Sequence, residues 1–410
     1  MTYGGQAMLG FIKKEIVFKR SLISEDDFND GIALVSVIPG ATNSQMVAYI
    51  GYKLKKGRGA FIAYSAFIIP AFLEMLVFTI LYKTSGSFGM FMQVFRALGA
   101  VITAFLLNTV IMFGSKIIKE WRLDILAAIT LVMLVFKLNI IIVLPIIIIL
   151  TFLLFFINKK FWPFTDKKES RNSRLYNNVE SADNSFNETY ANNDFKKYRK
   201  INFKVKSFFK TYWTFFLAIT LVAAVLATSF FLKKELFLAG LSITKASFLG
   251  FGGAIPMLTI IQYDMVSVLK IFNQKQIIDA MVLGQITPGP IMITSTFIGY
   301  YIYGFIGAVL CTIAAFFPSF AIFSLVAPKY EAVKNNKYVR LAVNGIMGMF
   351  VGMLLFFLYS VGREAIKGYI SAVFVLLSFI ALRLKVKEIY IITAVAVISV
   401  AMYLFNIKII

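Results

Sequence analysis

Residues 283–300 read LGQITPGPIMITSTFIGY, and residues 36–52 read SVIPGATNSQMVAYIGY. Each stretch sets a Pro-Gly pair ahead of an Ile-Gly-Tyr triplet, with hydroxyl and amide side chains between them. The agreement extends outward. Ile50-Gly51-Tyr52 answers Ile298-Gly299-Tyr300, Gly59-Ala60 answers Gly307-Ala308 and Pro70 answers Pro318, all at one offset of 248 residues. Upstream, Pro39-Gly40 answers Pro288-Gly289, Glu15 and Asp30 answer Asp264 and Asp279, and Tyr3-Gly4-Gly5 answers Phe251-Gly252-Gly253. A gap-free run of matches over such a length marks an internal repeat.

The solvent for these halves is lipid. Of 410 residues 59% are hydrophobic and 16% aromatic, and the mean hydropathy is +0.80, more apolar surface than a water-soluble fold can hide. Runs nearly free of charge cover 59–82, 97–115, 123–136, 138–157, 211–231, 305–327, 341–361, 368–382 and 389–407. At 1.5 Å per residue most of them cross a hydrocarbon core of roughly 30 Å. They are continuous and not alternating ten-residue segments, so the expected fold is an all-α integral membrane protein, multi-pass in the cell membrane.

Charge and rare residues exclude other classes. The net charge of +22 comes from Lys and Arg in short loops and one linker, which reads as topology signals facing anionic lipid and not as nucleic-acid binding. There is no His and a single cysteine, Cys311. An intrachain disulfide, a His-based triad and a His-ligated metal site are thereby ruled out, and no catalytic residues, metal or cofactor are expected. The N-terminus shows no cleavable signal peptide.

Residues 158–210 interrupt the apolar pattern with Asn-rich, charged text and basic ends at Lys159-Lys160 and Lys196-Lys197. They read as a basic, polar, disordered cytoplasmic linker. The division expected is a first transporter repeat at 1–157, the linker at 158–210, one extra transmembrane helix at 211–232 and a second repeat at 233–410. The first repeat is N-terminally short: the half-helix at 236–250 has no counterpart ahead of Tyr3, so either translation starts upstream of Met1 or this copy lacks part of its first hairpin.

The basic loops set orientation. Lys53, Lys55, Lys56 and Arg58 follow the first Ile-Gly-Tyr, and the next loop, 83–95, opens on Lys83 alone. After the second Ile-Gly-Tyr the loop 301–306 has no charge, and the next carries Lys329, Lys334, Lys337 and Arg340. The basic loop has changed places, so the positive-inside rule predicts two inverted repeats, with the helix at 211–232 supplying the inversion. Lys233 and Lys234 then fall on the outer side, against the rule.

Each half also holds helical pieces too short to span. Residues 236–250 and 254–270 flank Gly250-Phe251-Gly252-Gly253, and residues 273–286 and 290–303 flank Thr287-Pro288-Gly289. These are expected to be broken or re-entrant half-helices meeting at mid-membrane. A half-helix that starts at Pro-Gly offers free N–H groups and the positive end of its dipole, which suits an oxyanion without the cost of burying Lys or Arg. Inverted repeats with such breaks recur among secondary transporters.

The candidate substrate-binding residues are therefore Pro39, Gly40, Asn43, Ser44 and Gln45 in the first half. In the second they are Gly252, Gly253, Gln285, Thr287, Pro288, Gly289, Pro290, Thr294 and Ser295. For the hydroxyl residues, back-bonding to their own helix is the structural alternative. Glu74, inside an apolar span, and Glu15 and Asp264, paired by the repeat, are coupling candidates; Asp27 and Asp30 read as carboxylates at the start of a helix capped by Ser24.

The same residues carry a family resemblance. Phe251-Gly252-Gly253, Asp264-Met265-Val266, Leu283 to Pro290 and Phe297-Ile298-Gly299-Tyr300 resemble the signature of the chromate ion transporter (CHR) family, and residues 36–52 resemble the other copy in its two-domain members. The resemblance implies transport of chromate, with sulfate as a similar tetrahedral dianion, usually in the export direction and driven by the proton-motive force or by anion exchange. The partners implied are a small inorganic oxyanion and the lipid bilayer, with a homodimer left open.

In this sequence Ala41 replaces the final proline of Pro-Gly-Pro, so the half-sites are unequal and the anion is expected chiefly beside Pro288-Gly289-Pro290. A membrane-embedded enzyme acting on a phosphorylated lipid would need a clustered acid, base or metal set that is hard to assemble here. Inversion predicts that cysteines placed within 53–58 and within 329–340 react with an impermeant cationic reagent from one side of the membrane; labelling from opposite sides refutes it.

Overall fold

In a computed structural model, residues 5–85, 89–117, 120–136, 138–156, 205–251, 253–329 and 337–407 are described. Most of the 158–210 linker, together with Tyr3, Gly4, Gly252 and Lys334, lies outside them. All regular elements among the described residues are helices, as the continuous apolar runs require. The first half comprises α1 (Gly5–Lys13, continued by a π-helical stretch Lys14–Lys19), α2 (Glu25–Val37), α3 (Thr42–Ser85), α4 (Gly89–Ile117), α5 (Trp121–Val135) and α6 (Ile140–Phe156).

Then α7 (Val205–Leu232) begins within the 158–210 stretch, whose last residues are thus helical, and α8 (Lys234–Leu249) follows. The second half continues with α9 (Ala254–Gln262, continued by π-helical Tyr263–Val268) and α10 (Gln274–Ile286). After them come a 3-10 turn Ile291–Ile293, α11 (Thr294–Val326), α12 (Lys337–Ala365), α13 (Tyr369–Arg383) and α14 (Glu388–Leu404). Five of these, containing Thr42–Thr84, Gly89–Met112, Thr211–Leu232, Ile291–Lys329 and Leu341–Ala365, are long and apolar enough to cross a membrane.

Lengths and breaks recur at an offset of 248 or 249. Both α2 and α10 have 13 residues, α4 and α12 have 29, α5 and α13 have 15, and α6 and α14 have 17. The starts of α2 and α10 are capped by different side chains doing one job. Ser24 Oγ accepts from the Asp27 N–H at 3.0 Å, whereas Asn273 and Gln276 form a reciprocal capping box with both bonds at 2.9 Å. Each satisfies a donor the first helical turn leaves free.

The most informative recurrence is a break inside α3 and α11. Lys55 and Lys56 have φ/ψ of −139/29 and 51/−142, and Tyr303 and Gly304, 248 residues on, have −146/34 and 59/−149. The chain turns sharply there and its two limbs fold against each other. Gly51 lies against the backbone carbonyl of Gly59, and Gly299 against that of Gly307, so that a Cβ at any of the four runs into main chain. Close backbone approach through small residues is how helices pack when lipid supplies no hydrophobic drive between them. The stretches at 53–58 and 301–306 are thus tight turns between two helical limbs.

Packing crosses between the halves. The α4 helix lies against α13 and α14, and α12 against α5 and α6. Tyr64 of α3 donates to the Phe316 carbonyl of α11 at 2.7 Å, and Tyr82 donates to the Asp279 carboxylate of α10 at 2.6 Å, beside Lys275 at 2.7 Å. The repeated acids thus part company. Asp279 is buried, while Asp27 near Asp30 pairs with Lys53 at 2.6 Å on an exposed edge.

Both α7 and α8 cover α11, whereas α3 leaves Ile62, Ile69, Leu73 and Val77 exposed, as a face toward lipid would.

Two substitutions test the turns. Gly299→Val should destabilise the protein by about 1–3 kcal/mol or more through forced separation of the limbs, read as a lowered unfolding temperature in detergent. Lys56→Gly should raise that temperature, because a lysine at φ 51 holds a conformation costing about 1–3 kcal/mol that Gly304 adopts without strain.

Candidate functional site

The residues around Pro39-Gly40 and Gly253 come together. Gly40, at φ +125, donates its N–H to the Gly250 carbonyl at 2.9 Å. It packs so closely on Ser319 and Gln45 that a Cβ would lie 2.6 Å from Gln45 Nε2 and 2.8 Å from Ser319 Oγ. Gly253, at φ +107, faces Thr42, whose Oγ1 would lie 3.3 Å from an added Cβ. Gly253 precedes α9 and Thr42 opens α3. The N-terminal ends of two helices from different halves thus approach each other, and their free N–H groups and positive dipole ends share one neighbourhood.

Three side-chain oxygens at that junction lack partners. Gln45 donates through Nε2 to the Pro39 carbonyl at 2.5 Å, holding the break closed. Its Oε1, Ser44 Oγ and Asn43 Oδ1 are buried without a hydrogen bond, and Ser44 and Gln45 are 0% exposed. Leaving such groups unpaired costs about 1–3 kcal/mol each, so each calls for an explanation. Across the junction, Ser247 of α8 accepts from the Ser319 N–H at 3.2 Å.

The second-half candidates are placed differently. Gly289, at φ +141, packs on Ala71 of α3, the position matching Ser319. Thr287 Oγ1 donates to the Leu283 carbonyl at 2.8 Å and lies 3.7 Å from Met75 Sδ. Thr294 and Ser295 donate to Ile291 and Met292 carbonyls at 2.8 and 2.9 Å. Pro290 leads into the 3-10 turn, and Gln285 faces an apolar crevice beside Leu98, Val101 and Ile392. Pro288 is half-buried, and Gly252 lies outside the described residues. Here the hydroxyls already have helix carbonyls as partners.

The coupling candidates separate in the same way. Glu15 accepts from Arg20 Nε at 3.0 Å and pairs with Lys19 at 3.2 Å; these partners, Arg20 first, hold its carboxyl below the usual range. Glu74 is half-buried on α3. Asp264 is buried, accepts from Ser242 Oγ at 2.6 Å and is ion-paired with Lys245 of α8. Reading the sequence for repeat matches alone passed over Lys245, Ser319 and Tyr82. A signal for Lys245 was available, since it is the one basic residue between Lys234 and Lys270.

With this geometry in view, the comparisons with known proteins are specific. The chain matches the chromate transporter family over residues 1–155 and 235–400. It is 28% identical over 355 residues to an uncharacterized transporter of Methanocaldococcus jannaschii, covering 87% of this chain and 79% of that one. It is 24% identical to a probable chromate transport protein of Synechococcus elongatus, covering 89% of this chain and 82% of the relative. It is also 24% identical to a chromate transport protein of Cupriavidus metallidurans, with 95% and 86% covered. No solved structure matches. The family is one of transporters and not of enzymes, and since the match takes in both halves, the chain belongs to the chromate transporter family.

Proposed function

We propose that this protein is a secondary transporter that moves chromate or a similar tetrahedral oxyanion across the membrane, outward, and binds it where the N-terminal ends of α3 and α9 meet. The observation that carries the reading is the junction itself. Two helix ends, Gly40 and Gly253 at positive φ, and the unpartnered Ser44 Oγ and Gln45 Oε1 converge there. Helix N-termini bind oxyanions through backbone donors and the dipole. The packing moves the weight from Pro288-Gly289-Pro290, where Thr287, Thr294 and Ser295 are already bonded to carbonyls, to the Pro39-Gly40 side.

The reading extends to topology: two inverted halves, with α8–α9 and α10 plus the first limb of α11 as re-entrant hairpins, and α7 as the helix that restores direction. Its supports are the exchange of basic residues between the turns at 53–58 and 301–306 and the reciprocal packing of α4 on α13 and α14, and of α12 on α5 and α6. In such an arrangement a central site faces either side as the halves rock. Sulfate belongs in every test, because backbone donors recognise charge and tetrahedral shape more than the central atom.

The test is flux of labelled chromate and sulfate in proteoliposomes and everted vesicles. Saturable flux of at least one anion is expected, and its absence for both sinks the substrate assignment. Ser44→Ala should weaken transport about tenfold or more in half-saturating concentration, the scale of one hydrogen bond to a charged group. Ser295→Ala, which removes only a bond within its own helix, should change it less than about twofold. The reverse ranking would return the site to the second-half loop.

A further inference from the structure

Between Glu235 and Asp279 the chain carries one acid, Asp264, and between Lys234 and Lys270 one base, Lys245. They are paired with each other, with side chains only 4% and 14% exposed. A buried ion pair is a poor source of stability, since apolar side chains of similar volume commonly do as well, and ionisable groups at membrane depth call for a functional account. The matching acid in the first half, Glu15, has no such arrangement: its partners Lys19 and Arg20 come from its own segment at the surface.

Two details give the pair a direction. First, the Asp264 carboxylate is lopsided. Ser242 and Lys245 both engage Oδ2, and Oδ1 is buried with no hydrogen-bond partner, so it has room for a proton. Second, Lys245 stands on the helix that leads into the proposed anion site, with its ammonium turned to Asp264, nine residues before α9 starts at Ala254. It lies four residues before the end of α8 at Leu249, about 6 Å along the axis, and the next residue, Gly250, accepts the hydrogen bond from Gly40. A lysine carries its charge on a flexible four-carbon stem.

We propose that Lys245 is a shared ligand, its ammonium pairing with Asp264 when no anion is bound and turning to the oxyanion when one is, so that Asp264 takes up a proton from water as the anion binds. This rests on the anion site proposed above and adds to it the residue that ties anion to proton. Of the groups facing Asp264, α8 contributes Lys245 and Ser242, while the nearby Gln262 of α9 is uncharged and donates to Gln274 at 2.8 Å. The adjoining Tyr263 donates its hydroxyl to the Leu138 carbonyl at 3.0 Å. With Lys245 turned away, no other cation is paired with Asp264 among the described residues, and a bare buried carboxylate is the unfavourable state.

The experiment is equilibrium binding of labelled sulfate to the purified full-length protein in detergent as a function of pH. Sulfate is the probe because it stays a dianion through the neutral range, where chromate itself takes up a proton. Wild type should bind more tightly as pH falls, with the dissociation constant changing by up to about tenfold per pH unit when one proton enters with each anion. Asp264→Asn, which frees Lys245 permanently, should hold the low-pH affinity at every pH. Lys245→Gln should bind about tenfold or more weakly, without the slope.

If a single variant fails to fold because one buried charge is left alone, the double variant K245Q/D264N leaves none, and it should match the weak, pH-independent binding expected of Lys245→Gln. A wild-type slope retained in Asp264→Asn, or wild-type affinity retained in the double variant, overturns the shared-ligand assignment. So does tight binding by wild type that ignores pH, which leaves the anion site standing. No saturable binding of sulfate or chromate to wild type brings down the site and this inference together.

Discussion

The hydrogen bond from the Gly40 N–H to the Gly250 carbonyl, 2.9 Å long, joins the break ahead of α3 to the break ahead of α9. In a protein surrounded by lipid, a backbone that leaves the helix must find partners within the protein, because no water is there to supply them. The two breaks supply each other. The bond requires Gly40 at φ +125 against Ser319, Gln45 folded back on the Pro39 carbonyl, and α8 held beside α11 by Ser247. Most of what makes the junction special follows from that one closure.

The closure also explains why the two halves differ although their elements recur in length. Position 71 is alanine and position 319 is serine, so the Pro288-Gly289 loop packs on a methyl group, whereas the Pro39-Gly40 loop meets a hydroxyl and the end of α8. Polar side chains left without partners collect on the second of these. On the other, Thr287, Thr294 and Ser295 turn inward to their own carbonyls, the low-cost choice for hydroxyls in a helix surrounded by apolar groups. A repeated motif therefore carries two chemical environments, and in the proposed transporter one end acts as site and the other as scaffold.

Burial sorts the acids along the same lines. Repeat matching treats Glu15 with Asp264 and Asp30 with Asp279 as equivalent pairs. In three dimensions Glu15 sits among surface cations, and Asp264 and Asp279 are enclosed with one lysine each. Only enclosed carboxylates face a real choice between pairing and protonation, because water at the surface screens the difference.

Much was legible in the residues themselves. The apolar runs dictated helices, the offset of 248 exposed the duplication, and Pro-Gly and Gly-Gly marked the breaks ahead of α3, α9 and α11, since glycine reaches positive φ without strain and proline ends a helix. Local chemistry also announced the cap at Ser24. What lay beyond the sequence was which break meets which. The meeting of Gly253 with Thr42 and of Gly40 with Gly250 depends on how helices distant in sequence pack, and that of Lys245 with Asp264 on how α8 lies against the helix after it. Packing is settled by shape, at Gly51 against Gly59 and Gly299 against Gly307, and not by periodicity. Sequence determined that there would be breaks with free helix ends; tertiary structure alone decided which of them converge, because convergence is a property of contacts between halves and no local pattern encodes it.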